Sequence, residues 1–407
     1  MRAPANRAHL NRLRRMAILA VNVGSSTLKF SIHPRQGDQV RSRVFSGSIQ
    51  GLEPGGAPVM EWEFQGQRQN RQLPSSASDP FGHALRSLGE LLAAETALPE
   101  IEAVAHRVVH GGRDFSASVL VSADILERLA KLNSLAPLHQ PHNLQGIRAF
   151  QRAFPELPQV ACFDTAFHAS LSEMDYEFAL PRALTEQGVR RYGFHGLSYQ
   201  YVMGVLQQHS AQASGRVLMA HLGNGASLCA AVGGRSRATT MGFSALDGLM
   251  MGTRTGALDP GVLLYLMEQG WDHARLEALL YKQSGMLGVS GISADMRTLR
   301  ADGSAQAQRA IDLFTHRVVR ESGALVACVG GLDLIAFSGG IGEHDATLRA
   351  QVGEQLGWLG VVLDEEMNQQ ATGGDVRAIH AVDSRVQVWV IPTDEGQVAA
   401  QEAARLI

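Results

Sequence analysis

Short apolar runs separated by polar turns make up the first part of the chain. Residues 17–21 and 28–32 read as two strands flanking a tight turn, and further strands are predicted over 43–50, 59–64, 101–109 and 159–163. Apolar residues at helical spacing predict helices over 81–95, 123–133 and 142–154, with Ser78 or Asp79 available to cap the first. The pattern is therefore strands first, then strands and helices in alternation.

The same order begins again near residue 216. Residues 216–234 predict a second strand–turn–strand, followed by helices near 259–268, 273–283 and 304–329. Residues 332–356 read as strand, glycine-rich turn and helix, 386–392 as a strand and 393–407 as a helix. A series repeated in this way favours two α/β domains with mixed sheets. The two glycine-containing hairpins, at 24–28 and 223–228, look like corresponding parts of a duplicated unit.

Composition narrows the class of protein. A chain of 407 residues with 45% hydrophobic and 18% charged residues is typical of a globular protein of two or three domains. A formal charge of −3 argues against wholesale nucleic-acid binding, and no apolar run approaches the roughly 20 residues that span a bilayer. Cys162, Cys229 and Cys328 are too few and too dispersed for a disulfide framework, so we expect a cytoplasmic protein without a membrane anchor.

Five arginines and no acidic residue lie in the first fifteen positions. A secretory signal would continue with 7–15 apolar residues, but the run that begins at Met16 stops at Asn22. A transit peptide and a natural start at Met16 both remain open. We expect residues 1–15 to be a disordered basic extension.

Three glycine-rich turns, each bounded by a strand, are candidates for binding phosphate. They lie at 22–29, 221–227 and 338–344, and the first adds three hydroxyls and Lys29. The third opens a helix, whose N-terminal N–H groups favour an anion. No Gly-Lys pair occurs, which excludes a Walker A loop. The turns predict a nucleotide held between two domains, the alternatives being a solvated hairpin and ordinary strand–helix packing.

Isolated charges stand in apolar or glycine-rich surroundings. Arg107 and Asp164 each end a predicted buried strand, and Arg254 lies in a loop of small and apolar residues. An unpaired buried charge is costly, and a guanidinium suits carboxylate or phosphate because it bonds at two points. Binding of an anionic substrate and a structural Arg107–Asp164 ion pair are both consistent with this pattern.

Histidines in turns and a late acidic cluster add further candidates. His195, His139 and His142 could shuttle a proton, accept a phosphoryl group or donate to a developing anion, or they could be structural. No histidine spacing supports a zinc site. Near the last helix, Thr393 and Asp394 suit capping, whereas Glu395 could reach a Mg²⁺ that bridges phosphates.

With these segments in hand, the chain resembles the acetate and propionate kinase family. The resemblance runs from about Met16 to the C-terminus through motifs in the family's order: NVGSSTLKF, HRVVHGG, APLHQPHN, FDTAFH, RRYGFHG, HLGNGAS, MGFSALDGLMMGTRTGALDP, SADMR, GGIGEH and IPTDE. It implies two duplicated ribonuclease-H-like domains of the actin/hexokinase-like ATPase fold, with a cleft between them. The domains would comprise 16–164 with 395–407, and 165–394.

The resemblance also implies roles for individual residues. Catalysis would involve Arg107, Asp164, His195, Arg254 and His139. The acyl pocket would contain Arg107, Val109, Leu138, Phe194 and Ala245. Asn22 and Glu395 would lie near the metal. The nucleotide would be held by Lys29, His221, Leu222, Gly223, Asn224, Gly225, Asp295, Met296, Arg297, Gly339, Gly340, Ile341, Gly342 and His344.

Some positions depart from the commonest family pattern. Ala245 stands where proline is usual beside the methyl pocket, which leaves room for one more carbon, and His344 replaces a frequent asparagine. Leu197 and Tyr199 replace threonine and histidine, and Ala257 replaces an acid. The first departure leaves acetate and propionate open, while the others bear on nucleotide choice or local packing.

The implied activity is reversible transfer of a phosphoryl group from ATP to acetate, giving acetyl phosphate and ADP, with Mg²⁺ or, in its place, Mn²⁺. A homodimer is also implied. A propionate kinase with overlapping acetate activity is the nearest alternative. A chaperone-like or actin-like ATPase is the alternative outside the enzyme class, and a sugar kinase would ordinarily need a carboxylate base. The physiological direction, the nucleotide preference and the true start stay open.

Overall fold

The computed structural model describes residues 16–53, 55–74, 79–137 and 139–407. The chain divides into two compact units. Unit 1 contains the described residues up to Ala166 together with Asp394–Ile407, and unit 2 contains Phe167–Thr393. The predicted extension 1–15 and the candidate cap Ser78 lie outside the described residues. Among the residues that are described, no helix has the length and apolar character needed to span a bilayer.

Unit 1 is built on one mixed sheet. Its described strands are β1 (Met16–Val23), β2 (Thr27–Gln36), β3 (Gln39–Val40), β4 (Phe45–Gln50), β5 (Val59–Phe64), β6 (Gln67–Gln72), β7 (Glu100–Val108), β8 (Val119–Leu120) and β9 (Gln159–Phe163). The order is β6-β5-β4-β2-β1-β7-β9-β8, with β3 paired to β2. Strand β1 is antiparallel to β2 and parallel to β7, which is in turn parallel to β9.

Helices cover unit 1's sheet. They are α1 (Pro80–Ala94), α2 (Ala123–Ala130), α3 (Gln140–Ala153) and, at the C-terminus, α15 (Glu395–Ala404). Ala17, Leu19 and Val21 of β1 belong to a core that includes apolar residues of α1 and α3. Because strand side chains alternate between faces, Ile18 and Ala20 face the opposite side, and α15 packs on β1 and β7.

Unit 2 has a second mixed sheet. Its described strands are β10 (Arg216–Leu222), β11 (Ala226–Val232), β12 (Arg235–Thr239), β13 (Leu334–Ser338), β14 (Arg377–Ala378) and β15 (Gln387–Val390), in the order β12-β11-β10-β13-β15-β14. Strand β10 is antiparallel to β11 and parallel to β13, which is parallel to β15. The order β12-β11-β10-β13-β15 repeats β4-β2-β1-β7-β9 of unit 1 in both sequence order and direction, which agrees with a duplicated unit.

Unit 2 holds the remaining helices of the described chain. They are α4 (Glu173–Tyr176), α5 (Arg182–Glu186), α6 (Gly196–His209), α7 (Pro260–Glu268), α8 (His273–Lys282), α9 (Gly285–Ser290), α10 (Met296–Asp302), α11 (Ala305–Cys328), α12 (Gly339–His344), α13 (Ala346–Gln355) and α14 (Glu365–Gln370). Helix α6 shares a core with β10, β11 and β13, and α11 packs on β10, β11 and β12. The predicted mixed α/β fold with two mixed sheets is confirmed.

Element boundaries differ from the predictions by a few residues. Helix α2 ends at Ala130 rather than 133, and α3 begins at Gln140 rather than 142. The cap of α1 is Asp79, whose carboxylate accepts the N–H of Gly82 at 2.9 Å. Strand β6 was not predicted, because all six of its side chains are polar and exposed. It forms by pairing with β5, so its structure depends on a neighbour rather than on its own pattern.

Candidate active site

Arg107 and Asp164 form a close ion pair in unit 1. Strands β7 and β9 are adjacent and parallel, so Arg107 near the end of β7 meets the residue that follows β9. The guanidinium donates to both carboxylate oxygens, from Nε at 3.0 Å and from Nη2 at 2.6 Å. The Asp164 side chain is 2% exposed and that of Arg107 is 22% exposed. The structural ion pair left open by the sequence is therefore formed.

Glu395 adds a second carboxylate to this pair. It is the first residue of α15, and its Oε2 lies 3.4 Å from Nε of Arg107. Burial raises the pKa of the Asp164 carboxyl to about 6, with Arg107 opposing the shift and Glu395 adding to it. For Arg107 burial acts to lower the pKa, but the two carboxylates reverse this and raise it. The guanidinium of Arg107 therefore stays positively charged between the carboxyl groups of Asp164 and Glu395.

Asn22 and Lys29 lie on the first hairpin. They are paired on β1 and β2, and the turn closes with the N–H of Gly24 donating to Thr27 at 2.8 Å. Val21 is in register with His106, so Asn22 comes next to Arg107 along the two parallel strands. Asn22 is half-buried and Lys29 is exposed. Unit 1 thus holds Asn22, Arg107, Asp164 and Glu395 on neighbouring elements.

The start of α3 fixes this edge of the sheet. Gln140 accepts the N–H of His110 at 3.2 Å and donates to its carbonyl at 3.0 Å. Asn143 accepts the N–H of Val109 at 3.0 Å and donates to Val23 O at 2.8 Å, so one buried amide joins β1 to the end of β7. The sequence predicts roles for the histidines of this motif and none for Gln140 or Asn143. The spacing of these two amides, three residues apart on one face of a helix, is the pattern that indicates their role.

Unit 1 also contains residues that the resemblance assigns to the acyl pocket, Val109 and Leu138, and to catalysis, His139. Val109 is buried directly after β7, and His139 is the half-buried N-cap of α3. Leu138 lies outside the described residues. The resemblance assigns Val109 and His139 to the same site as Arg107, and unit 1 places both within its own fold beside the motif that carries Arg107.

Two glycine turns meet in unit 2 at the carboxyl ends of the parallel strands β10 and β13. Gly339 has φ of +75°, and a Cβ there would lie 2.7 Å from the carbonyl oxygen of Leu222. A Cβ on Gly223 would lie 3.8 Å from the nitrogen of Gly340. The turns 223–225 and 339–342 therefore form one continuous main-chain surface, at the position where open α/β sheets bind ligands.

One expected donor on this surface is already used. The sequence predicts free N–H groups at the start of α12, but Glu343 Oε1 accepts the N–H of Gly339 at 2.8 Å. The same oxygen accepts the N–H of Thr393 at 3.1 Å, and burial raises the pKa of Glu343. The expectation of a free N–H at Gly339 was wrong, because an acidic side chain four residues along the helix can bend back to the first N–H. Glu343 therefore ties α12 to the segment after β15.

His195 and Arg254 approach the first of these turns. A Cβ built on Gly225 would lie 3.3 Å from His195 Nε2 and 3.5 Å from a terminal nitrogen of Arg254. Arg254 donates from Nη1 to the carbonyl of Ala245 at 2.7 Å. His195 has a left-handed backbone, with φ of +58°, which is uncommon for a residue other than glycine and is typical of functional sites. Unit 2 thus brings an imidazole and a guanidinium together at one glycine.

The backbone beside His195 is held by His168. The carbonyl of Phe194, itself buried, accepts from His168 Nε2 at 2.9 Å, so Nδ1 accepts from the hydroxyl of Ser236 at 2.9 Å. Burial lowers the pKa of His168 to about 4. The sequence points to the FDTAFH motif and to Asp164 within it, but it does not predict a role for this neutral histidine.

The loop that carries Arg254 also contacts Asn224. The Gly252 N–H donates to Asn224 O at 3.0 Å, and a Cβ on Gly252 would collide with Asn224 Oδ1 and lie 3.2 Å from Ala294 O. Asp295 follows directly and caps α10. Its carboxylate pairs with Arg297 at 2.6 Å, and these hydrogen bonds lower the pKa of Asp295 to about 2. Met296 is buried. Asn224 and the SADMR segment are therefore joined through the glycine at 252.

Arg349 holds α12 in place through hydrogen bonds to its main chain. The sequence did not predict this role. The arginine side chain is fully buried, and burial lowers its pKa to about 10. It donates at 2.8–2.9 Å to the carbonyls of Gly342, Glu343, Asn368 and Ala371 and to the side chain of Asn368. The exposed His344 bonds Thr372 O at 2.6 Å. An arginine between Leu348 and Val352 on the apolar face of a helix was the available sign.

The structure groups the predicted residues by unit. Unit 2 brings together His195, Arg254, Ala245, Asn224, His221 and the glycine turns, and Lys29 is the predicted nucleotide residue that belongs to unit 1. Across the described part of the chain, no group of three or more His, Cys, Asp or Glu is arranged to hold a metal by itself.

A family profile and two individual relatives match nearly the whole chain, and all three are acetate kinases. The profile of the acetokinase family matches residues 17–401. An acetate kinase of Rhodopseudomonas palustris strain ATCC BAA-98/CGA009 is 49% identical over 397 residues, 96% of this chain and 98% of that protein. An acetate kinase of Nitrobacter hamburgensis is 44% identical over 395 residues, 96% of each chain.

Solved structures agree with this chain over its length. A propionate kinase from Francisella tularensis superposes with a TM-score of 0.89 at 36% identity, covering 96% of this chain and all of that one. An acetate kinase from Porphyromonas gingivalis gives a TM-score of 0.86 at 33% identity, covering 96% and 99% of the two chains.

Proposed function

The chain belongs to the acetokinase family, and from that premise we propose that it catalyses reversible phosphoryl transfer from ATP to acetate, giving acetyl phosphate and ADP. It is a phosphotransferase whose acceptor is a carboxyl group. The observation that carries the proposal beyond family membership is the placement of His195 and Arg254 at Gly225, on the surface formed by the two glycine turns.

Phosphoryl transfer to acetate requires positive charge and correct positioning of the two reactants rather than a general base. Acetate is already an anion, so no proton has to be removed before it attacks the terminal phosphoryl group. The barrier comes from bringing two anions into line and from charge on the equatorial phosphoryl oxygens. Arg254 would stabilise that charge with its guanidinium, and His195 would donate a hydrogen bond to the same group.

Arg107 would bind the acetate carboxylate and the transferring group. Asp164 accepts from Nε and Nη2, along one edge of the guanidinium, which fixes the direction in which the remaining N–H groups point. Its burial also keeps the pair rigid. Asp164 would thereby orient the guanidinium during transfer rather than take up a proton.

The residues of unit 1 fit a divalent cation. Arg107, Asp164 and Glu395 together carry one positive and two negative charges, so a cation beside Glu395 would balance the second carboxylate. Asn22 and Glu395 supply the oxygen ligands that Mg²⁺ prefers, and Mg²⁺ usually takes one or two protein oxygens plus water and phosphate. When bound, Mg²⁺ would neutralise charge on the nucleotide phosphates, and Mn²⁺ would substitute for it.

The nucleotide would lie along the glycine turns of unit 2. The turns 223–225 and 339–342 allow phosphates to approach the main chain, and Asn224, His221 and Leu222 belong to the same surface. Asp295, Met296 and Arg297 would flank the adenosine, with His344 close to the end of α12. Lys29 would also bind phosphate, as the resemblance implies. We accordingly propose 16–164 with 395–407 as the acceptor domain and 165–394 as the nucleotide domain.

A propionate kinase is the second candidate, because Ala245 offers a small side chain where the acyl group would bind. Phe194, which is buried in unit 2, would line the same pocket, and the resemblance assigns Val109 and Leu138 to the acyl group as well. One extra methylene changes binding by about 1–3 kcal/mol, so activity on both acids is expected. We propose acetate as the preferred substrate, which is consistent with the name of the 49%-identical relative.

An exposed apolar surface on α7 supports a homodimer. Leu264, Tyr265 and Met267 are 57–63% exposed, and Leu258 and Val262 beside them are 37–42% exposed. Such a cluster usually marks a protein contact, and a second copy would bury it. Light scattering tests this proposal by measuring the mass in solution. We expect the mass of a dimer for the unaltered chain and that of a monomer for Leu264→Glu. We also propose a cytoplasmic location, supported by three free cysteines.

An assay across carboxylates of two to four carbons tests the function. With ATP and Mg²⁺, trapping the acyl phosphate as hydroxamate should show product with acetate and propionate, and a higher kcat/KM for acetate. Ala245→Gly and Ala245→Val are matched variants that enlarge and reduce the pocket, and they should move the acetate-to-propionate ratio in opposite directions. A higher kcat/KM for propionate would replace acetate as the substrate, and no acyl phosphate with any acid would refute the proposal.

A further inference from the structure

We infer that Tyr199 and Ser227 are positioning residues that fix the tautomer of His195, so that its Nε2–H is presented at Gly225 beside Arg254. The inference rests on the proposed role of His195 in phosphoryl transfer and adds the means by which its donor atom is set. Neither hydroxyl is assigned to the site by the family resemblance.

The three side chains form a buried chain of hydrogen bonds. His195 Nδ1 lies 2.8 Å from the hydroxyl of Ser227, and the hydroxyl of Tyr199 is hydrogen-bonded to the same serine oxygen. Tyr199 and Ser227 are fully buried, and His195 is 8% exposed. Tyr199 stands on α6, one turn beyond His195, and Ser227 is on β11. Water therefore has little access to exchange these hydrogen bonds.

The donors and acceptors along the chain follow from the chemistry of each group. The phenol of Tyr199 keeps its proton, because burial raises its pKa well above the ordinary value. A buried phenol needs an acceptor for its proton, and the hydroxyl of Ser227 lies within hydrogen-bonding distance, so the proton of Tyr199 goes to Ser227. Ser227, having accepted from tyrosine, gives its single proton to His195 Nδ1. A neutral imidazole that accepts at Nδ1 carries its proton on Nε2.

A stacked histidine and a fixed main chain hold the ring of His195 in place. The imidazole of His221 stacks on it with centroids 4.2 Å apart and planes at 27°. His168 fixes the main chain on the other side through Phe194. The Nε2 atom is thereby directed to the position 3.3 Å from a Cβ on Gly225.

The neighbouring histidine supplies a matched control. His221 Nδ1 lies 2.8 Å from the hydroxyl of Ser198, which donates to Thr393 at 3.0 Å. Ser198 is as fully buried as Ser227. Ser198→Ala therefore removes a buried serine hydroxyl from the stacked partner while leaving the Tyr199–Ser227–His195 chain intact.

Nitrogen NMR of histidine-labelled full-length protein tests the inference without relying on activity. The two-bond correlations of the imidazole distinguish a protonated from an unprotonated nitrogen, and His195→Gln identifies the resonances of His195. In the unaltered chain, His195 should show a protonated Nε2 and an unprotonated Nδ1. Ser227→Ala and Tyr199→Phe should give a mixture of tautomers, Ser227→Thr should restore the single form, and Ser198→Ala should leave it unchanged.

Turnover gives the second readout. A histidine in the wrong tautomer is almost inactive, so kcat should fall in proportion to the remaining Nε2–H fraction, by about two-fold for an equal mixture, with KM for ATP little changed. A single Nε2–H tautomer that persists in both Ser227→Ala and Tyr199→Phe would overturn the inference, whatever their activity. The reverse tautomer in the unaltered chain would do the same. Absence of acyl phosphate in the unaltered chain would instead remove the proposed function and leave the tautomer result standing.

Discussion

The two units use the same five-strand framework to hold different chemistry. In unit 1, the cation at the carboxyl end of the sheet is Arg107, and it is gripped by Asp164 and approached by Glu395. In unit 2, Arg254 is held through the carbonyl of Ala245, and its neighbour is an imidazole. Arg107 comes from a strand of this framework, whereas His195 and Arg254 come from a helix start and a loop, so the residues added around the framework determine the chemistry.

The difference indicates a division of labour. A guanidinium fixed by a buried carboxylate is rigid and suits the recognition of a planar acetate group. A guanidinium and a histidine that donates from Nε2 would suit the charge on the equatorial oxygens of a transferring phosphoryl group. If this division is correct, equivalent changes in the two units will affect different kinetic constants.

Arginine removal is the largest expected effect. Arg254→Ala should lower kcat by about 10³-fold or more, because this charge acts mainly on the transition state. Arg107→Ala should lower kcat by a similar factor and also raise KM for acetate, since acetate binding is lost as well. Steady-state kinetics measure both, with circular dichroism as the folding control. Variants that retain near-normal acyl phosphate formation would refute the assignment of these residues.

Loss of Arg349 should mainly affect stability. Arg349→Met leaves several buried carbonyls without a donor, each costing about 1–3 kcal/mol, so the free energy of unfolding should fall by about 3 kcal/mol or more. Chemical denaturation followed by fluorescence measures this. Arg320→Met, which changes an exposed arginine on α11, is the matched control and should change it by less than about 0.5 kcal/mol. Equal effects of the two substitutions would contradict the anchoring role.

Two of the buried histidines, His106 in unit 1 and His168 in unit 2, should make stability depend on pH. Burial lowers the pKa of His106 in unit 1 and of His168 in unit 2 to about 4, from an ordinary 6.5. Since the folded value is the lower one, their contribution is present above pH 6.5 and is lost as the pH falls towards 4. The loss is on the order of 2–3 kcal/mol for each residue.

His168→Gln tests the contribution of unit 2, because glutamine can bond both Phe194 O and Ser236 without titrating. The denaturant midpoint of this variant should depend less on pH between 6.5 and 4 than that of the unaltered chain. His106→Gln makes the same test in unit 1, where the partner is Gln159. An unchanged pH dependence in both variants would show that other groups control acid unfolding.

Much of the framework could be predicted from apolar periodicity and glycine placement. The strands β1, β2, β7 and β10 are apolar runs bounded by turns, and burial in a sheet follows from such runs. Strand β6 could not be found in this way, because its six residues are polar and it is ordered by pairing with β5. Short helices such as α10 also escaped, since seven residues give too little periodicity.

The candidate site was predictable to the level of motifs but not of contacts. Isolated charges such as Arg107 and Arg254 stand out in apolar sequence. By contrast, the bonds of Asn143 to Val23 and Val109, and of Ser227 to His195, join residues 32–120 positions apart. No local pattern reports such pairings, because they depend on how strands and helices are placed in three dimensions. Glu343 bonding back to Gly339 corrected the one local expectation, of free N–H groups at α12.

The most direct test of the central claim is the fate of the terminal phosphoryl group of ATP, followed by phosphorus NMR with acetate and Mg²⁺ present. The account predicts that acetyl phosphate appears in equal amount to ADP, and that adding ADP and acetyl phosphate regenerates ATP. Release of orthophosphate at a rate indifferent to acetate would contradict it and would identify a nucleotide hydrolase on the same framework.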